Sequence, residues 1–175
     1  MFKPQKETKP TDNIITVYAD GAHRSSTDVS AYSYYLQYKS LEKLEGYAVY
    51  DKTNNEMEIT AVLEGLRAIK NSKLPVKVYS DSQYTIRCLQ EKWYLGWERN
   101  GWHNSKKEPV KNADLWRELI KEVGRFPFIS YSWTKGHGTN ALNNLVDEKN
   151  NLVMDEWEKR GKNESKRRDR GSKNR

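Results

Sequence analysis

The sequence predicts one α/β domain, and three observations carry the prediction. Short β-branched and aromatic runs alternate with stretches of helical period. A helix-patterned stretch separates the third strand-like run from the fourth, which requires a crossover to a parallel neighbour. At 175 residues the chain is long enough for one cored domain and too short for two ordinary ones.

The elements follow in chain order. Residues 1–12, "MFKPQKETKPTD", are rich in Lys and Pro with little to bury, and are expected to form a flexible arm. The domain is expected over 13–160. "IITVYAD" (14–20) has the composition of a central strand, and "SAYSYYLQY" (30–38) and "LEGYAVYD" (44–51), separated by "KSLEK", complete a predicted antiparallel meander. A helix is predicted from about Asn55 to Lys70, with Ile59, Val62, Leu63, Leu66 and Ile69 at helical spacing and Pro75 beyond its end. Asn54 or Asn55 is the expected cap of its first turn. "VKVYSD" (76–81) is then a fourth strand, reached through the helix and so expected to run parallel to a neighbour. Ser82 to Glu122 is helical in pattern, interrupted at Gly96, Gly101 and Pro109, and "FISYSW" (128–133) is a fifth strand. A last helix is expected from Ala141 to Arg160, with Leu142, Leu145, Val146, Lys149, Leu152, Val153 and Trp157 on one side. Residues 161–175 are expected to be a disordered basic tail.

Composition narrows the class of function. Hydrophobic residues make up 35% and charged residues 31%, but six Trp and eleven Tyr supply large surfaces to bury. The net charge of +7 and pI near 9.3 suggest an anionic partner. That charge is localised: residues 159–175 hold nine Lys or Arg against two acids, and the rest of the chain balances at 22 each. A body that binds nucleic acid must therefore do so through a local patch. The lone Cys88 excludes an intramolecular disulfide and is expected to be packed rather than reactive. No long apolar run is present, so a soluble, cytoplasmic chain with no membrane partner is expected.

Four carboxylates carry the chemical reading. Asp20 in "YADG" and Asp81 in "YSDSQ" stand at strand ends, where ligands gather in open α/β sheets. If their strands are parallel neighbours, the two acids lie side by side. Glu58, early in the helix that crosses to the fourth strand, can lean over the same edge, and Asp147 on the last helix can approach it. Three of them have an ordinary alternative: Asp20 as a turn residue, Asp81 as a helix cap, Asp147 as part of a polar face. Converging together, they would repel and raise each other's pKa unless divalent cations neutralise them. Hard oxygen ligands without a Cys or His cluster point to Mg2+ or Mn2+.

Six stretches in chain order resemble one family: "YADGA", "TNNEMEITAVLEGL", "SDSQY", "W…GW…NGW…KKEPVKNADLW", "TKGH" and "NNLVDE" are similar to the motifs of type 1 ribonucleases H. These endonucleases cut the RNA strand of RNA/DNA hybrids. The resemblance implies a five-stranded mixed sheet in order 3-2-1-4-5 flanked by helices. It implies that Asp20, Glu58, Asp81 and Asp147 bind two Mg2+ ions about 4 Å apart, with Mn2+ as a substitute, and leave 5′-phosphate and 3′-hydroxyl ends. His137 matches a histidine that assists proton movement or product departure. Asn54, Asn55 and Gln83 match residues that touch the hybrid in its minor groove, where 2′-hydroxyls are displayed.

"WYLGWERNGWHNSKKEPVK", Trp93 to Lys111, resembles the family's basic protrusion. It alternates aromatic surface with cations, as a sequence-tolerant phosphate track requires. Lys106, Lys107 and Lys111 are its candidate phosphate contacts. Trp93 and Trp97, four residues apart, suit either substrate contact or helix core. The sequence departs from the family in the Gly-free "HRSSTDVSAYSYY", in Asn144 where many members have Glu, and in "EKNN" after Asp147, where small apolar residues are common. A monomeric, sequence-nonspecific endoribonuclease is the leading expectation. The alternatives are a noncatalytic hybrid-binding module and a related nuclease of the same wider fold, such as a junction resolvase or exonuclease. The basic tail would serve as a salt-sensitive anchor, or as a partner or localisation segment.

Overall fold

The computed structural model describes residues 13–136 and 138–172, with backbone only for 163–172. The expected arm at 1–12, His137 and the last three residues lie outside the described residues.

Five strands, β1 (Ile15–Arg24), β2 (Val29–Tyr38), β3 (Leu41–Tyr50), β4 (Val76–Ser80) and β5 (Ile129–Trp133), form one sheet in the order β3-β2-β1-β4-β5. The first three pair antiparallel, and β4 and β5 run parallel to β1. The helices are α1 (Asn54–Arg67), α2 (Gln83–Gln90), α3 (Trp93–Arg99), α4 (Ala113–Val123) and α5 (Ala141–Ser172). The α/β class, the mixed sheet and its order match the sequence expectation.

Alternation along β1 decides which helix lies on which face. Successive side chains of a strand point to opposite sides. Ile15, Val17 and Ala19 pack with Ile59, Val62, Leu63 and Leu66 of α1, behind which Trp116 and Leu119 of α4 close the core. Tyr18 instead packs with Tyr35 and with Val146 of α5. Asp20 follows Tyr18 by two, so it belongs to the α5 side. Leu66 is fully buried, and cutting it to Ala would cost about 2–5 kcal/mol. Cys88 is buried in the main core, which pushes its thiol up to about 12 and leaves it inert.

Four local expectations need correction. The "KSLEK" linker shrinks to Lys39 and Ser40, because Lys39 adopts a positive φ of 56° and turns the chain there. The cap of α1 is Thr53, not Asn54 or Asn55: its hydroxyl accepts from Glu56 N at 3.2 Å while Glu56 Oε2 accepts from Thr53 N at 2.8 Å. The last helix does not end near Arg160 but continues to Ser172, so 161–172 is helical where disorder was expected. Net charge argued against order there, but Glu, Lys and Arg are strong helix formers and no Pro interrupts them. Finally, α5 turns Asn143, Val146, Asn150 and Met154 to the sheet, whereas Leu152 is 51% exposed.

Candidate active site

Parallel pairing of β1 with β4 brings the first two acids together. The ladder ends at the pair Ala19 and Ser80, and the next residue on each strand is Asp20 and Asp81. Asp81 does not cap the following helix. Ser82 does, its hydroxyl accepting from Thr85 N at 3.3 Å, and the indole of Trp133 donates to the Asp81 carbonyl at 2.9 Å.

Glu58 arrives from the other side of the sheet, and Gly21 lets it. A Cβ at Gly21 would overlap the backbone of Met57 and Glu58, so only glycine allows α1 to lie this close to β1. The Gly21 N–H donates to Glu58 Oε2 at 3.1 Å, and the Asn54 amide lies 3.5 Å from Oε1. Asp20, Glu58 and Asp81 then each offer an oxygen within 4.8 Å of the others. Asp147, half-buried on α5, stands outside that trio, but its charge acts on Asp20.

The electrostatics follow from burial. Asp20 and Glu58 are 4% and 5% exposed. Burial, then the neighbouring Asp81 charge, pushes the Asp20 carboxyl up to about 8, against a hydrogen bond from Asn150 that favours its ionised form; the Asp147 charge adds to the rise. Glu58 is also raised, by burial first and then by Asp20 and Asp81, and the Gly21 N–H and Asn54 amide oppose this. Three carboxylates in such a position either hold protons or neutralise a cation. All three ligand atoms are hard oxygens, so the donor set suits a hard metal cation and not a thiophilic one.

Around this trio stand the other candidates. Because Thr53 does the capping, the exposed amides of Asn54 and Asn55 remain on the first turn of α1; Gln83, also exposed, opens α2. Gly136 abuts the Asp81 carboxylate so closely that a Cβ there would overlap it, which puts the chain before His137 beside the acids. A cleft of about 870 Å3 extends from Thr53 and Asn55 to Trp97, Asn104, Lys111 and Asn112.

That cleft ends at the protrusion. Asn104 organises its tip: Oδ1 accepts from Lys106 N at 2.9 Å and Glu108 N at 3.0 Å, while Nδ2 donates to Glu108 Oε2 at 2.9 Å. Lys106, Lys107 and Lys111 are exposed. Trp93 and Trp97 are half-buried against the main core; Trp97 stacks edge-on with Trp116, and Trp93 with Tyr84. Trp97 keeps one side in the cleft. Sequence reasoning missed Gly21, Gly136 and Asn150. The two glycines carry the signal of close approach next to a motif acid; Asn150 reads as an ordinary polar helix position, and only its place in "EKNN" marked it.

The RNase H family model matches residues 12–154. Ribonuclease H of Coxiella burnetii is 40% identical over 153 residues, covering 87% of this chain and 97% of that protein. Among solved structures, LC9-RNase H1, a type 1 RNase H with the type 2 active-site motif, aligns with a TM-score of 0.70 at 21% identity, over 84% of this chain and 74% of that one. The foamy viral protease-reverse transcriptase in complex with RNA/DNA hybrid aligns with a TM-score of 0.67 at 20% identity, over 88% of this chain and 22% of that one. At such identities the structures show a shared fold. The family model spans 12–154 and the relative covers 87% of the chain, and on that ground the chain belongs to the RNase H family of ribonucleases.

Proposed function

We propose that the chain hydrolyses the RNA strand of RNA/DNA hybrids internally and without sequence preference, leaving 5′-phosphate and 3′-hydroxyl ends. The convergence of Asp20, Glu58 and Asp81 within 4.8 Å at one sheet edge carries this reading. These three, with Asp147, would hold a pair of Mg2+ or Mn2+ ions. Bound there, the ions supply Lewis acidity that makes water a nucleophile and neutralises the departing 3′ oxygen.

The rest falls to the side chains. The buried carboxylates concentrate negative charge that a proton or a cation must relieve. His137, which follows Gly136 in the sequence, moves the proton or helps the product leave. Asn54, Asn55 and Gln83 touch ribose and base edges in the minor groove, which separates RNA from DNA through the 2′-hydroxyl. Trp97 offers the cleft ring surface and Trp93 backs it through Tyr84, while Lys106, Lys107 and Lys111 hold phosphates. Residues 13–160 make up the catalytic unit and work as a monomer. The arm at 1–12 is auxiliary, and the basic stretch beyond 160 is a polyanion anchor. Among the described residues no helix is long and apolar enough to cross a membrane; a cytoplasmic site of action fits a hybrid substrate.

The test is cleavage of RNA/DNA, double-stranded RNA and double-stranded DNA duplexes in Mg2+, beside the Asp81→Asn variant. Cutting confined to the hybrid's RNA strand, with binding but no cutting by Asp81→Asn, is the expected result. Binding without Mg2+-dependent cutting would favour a noncatalytic module, and cutting of double-stranded DNA would favour a resolvase or exonuclease.

A further inference from the structure

Asn150 has a role that neither core packing nor helix formation explains. It lies on the sheet side of α5 and is fully buried. Its amide nitrogen donates to Asp20 Oδ2 at 2.8 Å and to the Asp20 main-chain carbonyl at 3.1 Å. Bonding to both ends of one residue ties the torsion of the carboxylate to the backbone of β1. Its own Oδ1 is buried with no hydrogen-bond partner among the described residues. An acceptor left unpaired in the interior is destabilising, which a Leu or Ala at this position would avoid. The Asn150 nitrogen, unlike its oxygen, is fully used, and both of its bonds go to Asp20.

The helix around Asn150 is fixed on both sides. One turn earlier the Ser33 hydroxyl donates to the Val146 carbonyl at 2.7 Å. One turn later Arg24, at the end of β1, donates to Asp155 at 2.7 Å, to Glu158 at 3.2 Å and to the Asn151 side chain at 3.1 Å. The amide is thus presented to Asp20 by a helix that cannot shift along the sheet without breaking both anchors.

We infer that Asn150 is a positioning residue for the divalent-cation site, holding the Asp20 carboxylate in the single orientation that faces Glu58 and Asp81. The inference rests on the proposed reading of Asp20 as a cation ligand. Hydrogen-bond partners of metal-ligating groups usually cost 10- to 100-fold in metal affinity when removed. Asn150 acts at the cation and not at the hybrid, so its loss should change the cation requirement and leave hybrid affinity alone.

The experiment measures Mn2+ dissociation constants of the full chain from the paramagnetic resonance of free Mn2+, for wild type, Asn150→Ala, Asn150→Leu and Asp20→Asn. KM for hybrid and the Mg2+ concentration giving half-maximal rate are measured alongside. Asn150→Ala and Asn150→Leu should weaken Mn2+ about 10-fold and raise the Mg2+ requirement to match, with KM for hybrid unchanged. Should Asn150→Ala not fold, Asn150→Leu, which refills the space, decides. A lowered melting temperature with wild-type Mn2+ affinity would overturn the inference and leave Asn150 a structural amide. If Asp20→Asn itself binds Mn2+ like wild type, the reading of the site fails, and the role of Asn150 with it.

Discussion

The sheet edge and the protrusion carry comparable numbers of charges and handle them in opposite ways. At the edge, Asp20 and Glu58 are almost wholly buried with Asp81 beside them, and like charges in a low dielectric raise each other's energy. At the protrusion, Lys106, Lys107 and Lys111 stand in solvent on a loop shaped by Asn104, where salt screens them. The difference teaches what each region is built for. Buried charge is costly to assemble, and one substitution changes its chemistry; exposed charge is cheap, and each residue adds a small salt-dependent increment.

The sharpest way to break this contrast is Asp81→Asn. It keeps the shape and removes one anionic ligand, and a bound cation contributes several kcal/mol to charge stabilisation in such reactions. The expected outcome is a fall in cleavage rate of about 1,000-fold or more, with hybrid affinity within a few-fold of wild type. Single-turnover cleavage and a binding titration check it. A variant cutting at near wild-type rate would show that the trio is not the reacting centre.

The next effect is on stability against pH without metal. The Asp20 carboxyl titrates near 8 in the fold against an ordinary 3.8, so between these values the folded chain keeps a proton that the unfolded chain releases. Stability from this group is therefore full below the unfolded value and is lost as pH rises through about 8. In chelator, the melting temperature of wild type should fall relative to that of Asp20→Asn between about pH 5 and about pH 9, by an amount worth a few kcal/mol. Saturating Mg2+ should reverse the loss at the alkaline end, because the ion stabilises the ionised carboxylates. A constant difference between the two proteins across that range would mean that the edge is not electrostatically strained.

Why some of this was visible in the sequence and some was not follows from the same contrast. The order of the sheet came from the family resemblance, whereas the residues themselves pointed only to a meander of three strands followed by a crossover helix that makes β4 parallel to a neighbour. Asp20 and Asp81 were legible because strand ends are where parallel sheets gather ligands. Asn150 was not, since a helix amide looks solvated until the acid it serves is known to face it. The cap of α1 was misassigned because three adjacent polar residues, Thr53, Asn54 and Asn55, can all cap; only the reach of the Glu56 side chain back to Thr53 N selects one. The length of α5 was hidden by charge: nine cations in 159–175 argue for disorder by composition, while the same residues favour helix by propensity.

That stretch gives the third effect, smaller than either above. Deleting residues 159–175 removes the whole excess of seven positive charges but none of the acids or amides of the edge. The expected result is hybrid binding with a shallower dependence on salt, because fewer counterions are released. Binding titrations across a salt series check this, and an unchanged slope would remove the anchor role.

The smallest effect belongs to a single protrusion lysine. Lys107 is exposed and has a positive φ of 63°, so its place at the tip is set by the backbone turn and not by packing of its side chain. Lys107→Ala should lower the salt slope of hybrid binding by about 0.7–0.9 if it meets one phosphate. The affinity lost should be well under that of a buried ion pair. The loss should be the same for hybrids of different sequence, since a phosphate contact carries no base information. A sequence-dependent loss would mean that the protrusion reads bases, and a loss that persists at high salt would mean that Lys107 packs against the substrate. Either result would erase the distinction between a buried site that does chemistry and an exposed one that only attracts.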